Sequence, residues 1–269
     1  MRKYLIIALS IGAIGLTQDL SAQEGEKNES AELAKKLANP VASLISVPLQ
    51  NNLDVGIGDD LGSKNTLNVQ PVIPLRLTDN INVITRVILP VISQQGITGS
   101  DNSEFGLGDA VMSAFISPAE SKGGLTWGAG PVLLVPTATH DLLASKKFGL
   151  GPTAVALYQS KGFTLGGLIN QVWSIAGDAN RPNVNMMFFQ PFFNYNWKSG
   201  AGIGSNFEIT RNWDARTTNI WLNPTVSALT AMGNQKIQFA IGPRLNLAAP
   251  DGVKAKYGVR AVMVFLFPK

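Results

Sequence analysis

The sequence predicts an all-β protein, a transmembrane up-and-down antiparallel β-barrel of about twelve strands behind a short N-terminal helical lead-in. Three features predict it. Apolar side chains recur with period two from Pro40 onward, the connections alternate between tight turns and longer polar links, and the last stretch reads as a closing strand.

The chain begins with Arg2 and Lys3, an apolar run from Tyr4 to Leu16, and Ser21-Ala22. That is the layout of a secretory signal, with cleavage expected after Ala22. No later apolar stretch reaches the roughly 18 residues a membrane helix needs, so the mature chain can cross a membrane only as strands. Three segments follow: a signal peptide over 1–22, a helical periplasmic lead-in over 23–40 and a barrel over 41–269. In the lead-in, Leu33 and Leu37 share a helical face, Glu32 and Lys36 stand one turn apart, and Pro40 ends the run. It serves as a short lead-in or as a helix tucked into the barrel mouth.

Strands are expected at Val47 to Ile57, Leu67 to Leu77, Ile81 to Ile92, Phe105 to Ser117, Leu125 to Thr137 and Phe148 to Gln159. Six more follow at Phe163 to Ile175, Val184 to Trp197, Ala201 to Trp213, Ile220 to Thr230, Ile237 to Ala248 and Tyr257 to Phe267. An even total suits a bacterial single-chain barrel. In the last stretch Tyr257, Val259, Ala261, Met263, Phe265 and Phe267 make one apolar side rimmed by aromatics. A terminal strand of this kind either pairs with the first to remove both edges or forms the edge of a soluble sandwich.

The connections favour the barrel. Thr78-Asp79-Asn80, Ser160-Lys161-Gly162 and Lys198-Ser199-Gly200 are tight, and Ala231 to Gln235 is nearly so. Between them lie Asp59 to Asn65, Gln94 to Glu104, Ala138 to Lys147, Ala176 to Asn183 and Asp251 to Lys256, all longer and polar. Sorting short turns to one side and long loops to the other is the habit of outer-membrane barrels. The link Pro118 to Gly124 is too long for its side. Trp127 and Trp197 fall near the short-turn rim and Trp173, Trp213 and Trp221 near the other, where amphipathic rings meet a bilayer interface. Trp221 alone departs from the apolar parity of its strand and points to the lumen.

Composition excludes several function classes. Net charge is +4 with no basic run, so nucleic acid is not expected, and the absence of cysteine removes disulfides and thiolate metal sites. No cofactor is implied. The repeated Gly-x-Gly pairs have strand on both sides rather than a following helix, so they bend the sheet and keep the lumen open instead of cradling phosphate. His140, in Thr139-His140-Asp141 with Ser145 nearby, is the single histidine and the sole basis for an outer-membrane lipid hydrolase. No nucleophile-elbow motif accompanies it.

The minority, polar parity of the strands supplies the lumen-lining candidates: Asn52, Asp54, Asn68, Gln70, Arg76, Arg86, Gln190, Asn194, Asn206, Glu208, Arg244 and Arg260. In a barrel these face inward, where charges must pair or meet water. They form either a packed network that stiffens the wall or a constricted channel in which amides and the arginines 76, 86, 244 and 260 select a small solute.

Several ordered blocks resemble a known family. They are Leu33 to Asn52, Gly106-Leu-Gly-Asp109, Trp127-Gly-Ala-Gly-Pro131 with Pro136-Thr-Ala-Thr139, Phe148-Gly-Leu-Gly-Pro152, Asn170-Gln-Val-Trp-Ser174 and Gln190-Pro-Phe-Phe-Asn-Tyr195. Together they resemble the outer-membrane transporter family tied to the meta pathway of phenol degradation, whose members often carry the label neuromedin U. The resemblance implies an outer-membrane barrel with a transport role and brings no catalytic or binding residues with it. The chain ends Phe267-Pro268-Lys269 rather than on an aromatic residue, which bears on recognition by the barrel insertion machinery.

The expectation is a channel in the outer membrane of a Gram-negative bacterium. It would pass a small molecule, aromatic or weakly polar, by diffusion with no conformational cycle. Its partners would be outer-membrane lipid and lipopolysaccharide, the insertion machinery and the solute; the sequence sets no oligomeric state. A closed structural or partner-binding barrel is the alternative, and the lipid hydrolase the second.

Overall fold

A computed structural model describes residues 30, 32–250 and 252–267. The signal segment and residues 23–29 of the lead-in lie outside the described residues. Fourteen ladder segments run in chain order: β1 (Ile45–Ile57), β2 (Gly62–Val69), β3 (Val72–Arg76), β4 (Ile81–Gln95), β5 (Ser103–Leu107), β6 (Ala110–Pro118) and β7 (Leu125–Val135). They continue with β8 (Lys147–Ser160), β9 (Phe163–Gly177), β10 (Asn185–Asn196), β11 (Ala201–Asn212), β12 (Thr217–Met232), β13 (Gln235–Ala248) and β14 (Tyr257–Phe267).

Two pairs of segments are single strands with an interruption. β2 and β3 both pair with β1 and β4, and are parted at Gln70-Pro71, where proline has no N–H to give the ladder. β5 and β6 both pair with β4 and are parted at Gly108-Asp109. The barrel therefore has twelve antiparallel strands. Each strand neighbours the next in sequence, and β14 returns to β1 with registered pairs from Ile45↔Phe267 to Val55↔Tyr257. Neither terminal strand keeps an open edge along that register, and the sandwich alternative is overturned by that pairing.

The connections define two ends. The turn end carries the links after β3, β6, β8, β10 and β12; the loop end carries the others. One connection differs from expectation. Asp59 to Asn65 reads as a long polar link, but β2 begins at Gly62 after a tight reversal in which Leu61 takes a positive φ of 53°. Gly56, with φ 71°, marks the preceding β-bulge, where the β1–β2 register shifts between Val55 and Ile57.

The wall is apolar outside and polar inside. Leu133, Ile169, Phe207, Phe239, Ile241 and Val259 are among the exposed large hydrophobics, whereas Asn52, Asp54, Gln70, Arg244 and Arg260 are buried. The tryptophans divide in the same way: Trp127, Trp173, Trp197 and Trp213 are exposed, and Trp221 is buried. Among the described residues no helix is long and apolar enough to cross a membrane.

The described part of the lead-in is helical at residues 30 and 32–37, and it occupies the turn-end mouth. Leu33 and Ala34 are buried. Gln159 Nε2 donates to Lys35 O at 2.8 Å, Asn196 Nδ2 to Ala34 O at 3.4 Å, and Asn82 Nδ2 to Ser43 Oγ at 2.8 Å. Val41 then enters a buried cluster with Ile84, Phe115, Val155, Leu157 and Leu168. Of the two placements open to this helix, the mouth of the barrel is the one it takes.

Candidate functional site: an enclosed, two-sided lumen

Alternation along the strands turns every second side chain to the interior, and the closed sheet collects them. The result is a cavity of about 720 Å³. Its floor, toward the turn end, is the Val41 cluster, to which Phe188 and Phe192 are added. Its roof is formed near the loop end, where Ile57, Trp221 and Ala255 pack with Ile97, and where Ile57, Ile97 and Val253 line the cavity.

The two sides of the lumen differ. On β1, β2, β11 and β13 the lining residues include Asn52, Asp54, Lys64, Asn68, Glu208 and Arg244. On β4, β6, β7, β9 and β10 they include Ile88, Val111, Leu134, Leu168, Val172, Met186 and Phe188. One wall is charged and the other is mostly hydrocarbon, with Arg86, Ser113, Asn170 and Gln190 set into the second.

The charged wall is a connected network. Arg244 Nε donates to Asp54 Oδ1 at 2.9 Å, and its Nη1 donates to Glu208 Oε2 at 2.7 Å and to Asn223 Oδ1 at 3.0 Å. Arg260 Nη2 donates to Glu208 Oε1 at 2.7 Å and its Nε to Asn52 Oδ1 at 2.8 Å. Asn223 Nδ2 donates to Asn206 Oδ1 at 2.9 Å. The Arg244 guanidinium also lies 3.9 Å from the Trp221 ring centroid. Two carboxylates and two guanidiniums thus balance, and each guanidinium uses its planar fork on two or more acceptors.

The sequence candidates fall into three groups. Asn52, Asp54, Asn68, Gln70, Arg86, Gln190, Glu208 and Arg244 line the cavity. Arg260 and Asn206 stand behind it in the network, with Arg260 only 2% exposed, and Asn194 lies toward the turn end over Gly204. Arg76 does not join them. It sits at the turn end with its side chain 69% exposed and pairs with Asp79 at 2.8 Å, so it forms no constriction with the other arginines.

Lys64 and Asp109 are lining residues the sequence reading missed. Lys64 was hidden inside the expected Asp59 to Asn65 link. Asp109, at the β5–β6 interruption, accepts from Ala138 N at 3.2 Å, from Ser145 N at 2.7 Å and from Ser145 Oγ. It ties the loop between β7 and β8 to the barrel wall. In that loop His140 caps the 3-10 turn Asp141–Leu143, its Nδ1 accepting from Leu142 N at 3.3 Å. Ser145 and His140 are therefore engaged with different partners, and among the described residues no hydrogen bond joins them. A hydrogen bond and the charge of Lys146, 2.9 Å away, hold the Asp141 carboxyl below its usual range.

Diffusion through a static pore also meets an obstacle. The floor cluster and the lead-in helix stand between the cavity and the turn end, and no described residue of the lead-in lines the cavity.

No family model matches the chain, and no curated protein matches it either. Solved structures do. An outer-membrane channel from Pseudomonas putida F1 is similar at 14% identity with a TM-score of 0.67, covering 84% of this chain and 96% of that one. Outer-membrane phospholipase A from Escherichia coli is similar at 10% identity and a TM-score of 0.46, covering 82% of this chain and 92% of that one. The first likeness establishes the shared barrel fold. The second is too distant to bear on chemistry.

Proposed function

We propose that this protein is an outer-membrane channel that passes a small molecule with an aromatic or weakly polar body and consumes no energy. One observation carries the proposal. A closed twelve-strand wall is apolar outside, carries a charged network inside, and holds a cavity of about 720 Å³ in its lumen. An apolar exterior of this extent is at home in hydrocarbon and aggregates in water. The cavity lies in the roughly 300–1,000 Å³ range of small-molecule sites. The similar Pseudomonas putida protein is an outer-membrane channel, which is in keeping with this reading. Its partners are then lipid and lipopolysaccharide outside and the solute inside.

The lead-in controls passage through the turn end. Its hold on the wall consists of three side-chain hydrogen bonds and the burial of Leu33, Ala34 and Val41. Planar-bilayer conductance tests the proposal directly. The full chain is expected to conduct weakly, and a chain lacking residues 23–43 should conduct severalfold more. A folded barrel that conducts nothing in either form would instead be a closed structural barrel.

A further inference from the structure

We propose that the lumen contains a subsite for the anionic head of an amphipathic solute, a carboxylate or similar oxyanion on an apolar body, and that Arg86 binds it. This rests on the channel reading and names the class of molecule the channel takes.

The cations of the lumen are not equivalent. Arg244 and Arg260 are matched by Asp54 and Glu208 through hydrogen bonds of 2.7–2.9 Å. Among the described residues the Arg86 guanidinium has one hydrogen-bond partner, the neutral amide of Gln70, whose Oε1 accepts from Arg86 Nη2 at 2.6 Å. Among the described residues no carboxylate lies within ion-pair distance of it. Glu208 acts on it through space, but both Glu208 oxygens already accept from other arginines. A guanidinium has five N–H donors in a flat fork, so most of those on Arg86 are left to whatever fills the cavity. A cation withdrawn from bulk water and left unpaired is costly, and an anion relieves that cost.

Position supplies the rest of the solute. Arg86 shares the inward face of β4 with Ile84 on one side and Ile88 on the other. Ile84 belongs to the apolar floor, and Leu168 and Phe188 belong to both floor and lining. A cation set where an apolar floor meets an apolar wall fits a molecule with charge at one end and hydrocarbon along its length. Gln70 positions the fork. Lys64 lines the cavity beside the loop-end turn, across the ladder from Asp54, and among the described residues its ammonium has no hydrogen bond or ion pair, so it adds positive potential on the approach. The one lining carboxylate outside the charged network, Asp109, is held by the donors of Ala138 and Ser145.

The test is isothermal titration calorimetry on the folded full chain in a non-ionic detergent, with 4-phenylbutyrate and its neutral counterpart 4-phenyl-1-butanol as probes. A charge-assisted pair predicts that the carboxylate binds about tenfold or more tightly than the alcohol. Arg86→Gln should collapse that ratio to within about twofold, and Arg86→Lys should keep part of it. Heat-dependent mobility on gels checks that each variant is folded, and the two-probe comparison on the unaltered protein needs no variant at all. Equal binding of the two probes, or a ratio that survives Arg86→Gln, overturns the subsite while leaving the channel in place. Binding of neither probe by a barrel that also fails to conduct overturns both.

Discussion

Glu208 is the residue on which the charged wall turns. Each of its two oxygens accepts from a different arginine, so Glu208→Ala strands Arg244 and Arg260 together with one remaining carboxylate, Asp54. Breaking a buried charge network in this way costs about 3–5 kcal/mol, and urea unfolding of the detergent-solubilised barrel should register a loss of that order. Arg76→Ala is the contrasting case. Its partner Asp79 is nearly fully exposed, and an exposed pair is worth less than about 1 kcal/mol, so neither stability nor ion selectivity should change measurably. The difference between these two charged residues was only partly legible beforehand. Strand parity places both inward, because parity reports a face and not a height, and Arg76 reaches the rim before its face is enclosed. Trp221 was legible as an exception to the apolar parity. The register between β12 and β13 shifts between Ile220 and Trp221, and Trp221 packs inward against Arg244.

Among the elements, the strands were the most legible because every second side chain must satisfy the same surroundings over ten or more residues. Each of the twelve expected stretches overlaps an observed strand, with ends that differ by a residue or more at several positions, such as Val135 for the expected Thr137. The β1–β2 reversal was not legible, since Asp59-Asp60-Leu61-Gly62-Ser63-Lys64-Asn65 has the polar composition of a loop and only Leu61's positive φ ends it early. That difference decides whether Lys64 is a solvent lysine or a lining residue. Docking of the lead-in was equally hidden: the Leu33–Leu37 stripe says that a helical face needs cover and not which surface covers it. The loop between β7 and β8 depends on Asp109 for its anchor. Asp109→Ala should release it, and limited trypsin digestion is expected to cut at Lys146 several times faster than in the unaltered chain. Asp109→Asn, which keeps an acceptor, should fall between.

At the scale of the molecule, the seam between β1 and β14 makes the barrel a single closed object. Its registered pairs leave neither terminal strand with a free edge, and closure is a condition for standing in hydrocarbon. A proline in place of Ala261, midway along β14, removes a ladder donor at the seam and forces a local break. That variant should fold poorly into detergent micelles and lose its heat-dependent shift in gel mobility. Mobility like that of the unaltered protein would mean the seam contributes little. Sequence pattern could announce closure only in outline, because pairing of the first strand with the last joins residues some two hundred positions apart and leaves no local trace.

The stacking of Trp221 against Arg244 equips the barrel with an internal optical probe. Four of the five indoles look outward, so brominated acyl chains should dim those four, while Trp221, buried and lining the cavity, is open to acrylamide only from the lumen. Occupation of the interior by any guest would then be visible as shielding from the water-borne quencher alone, without labelling the protein.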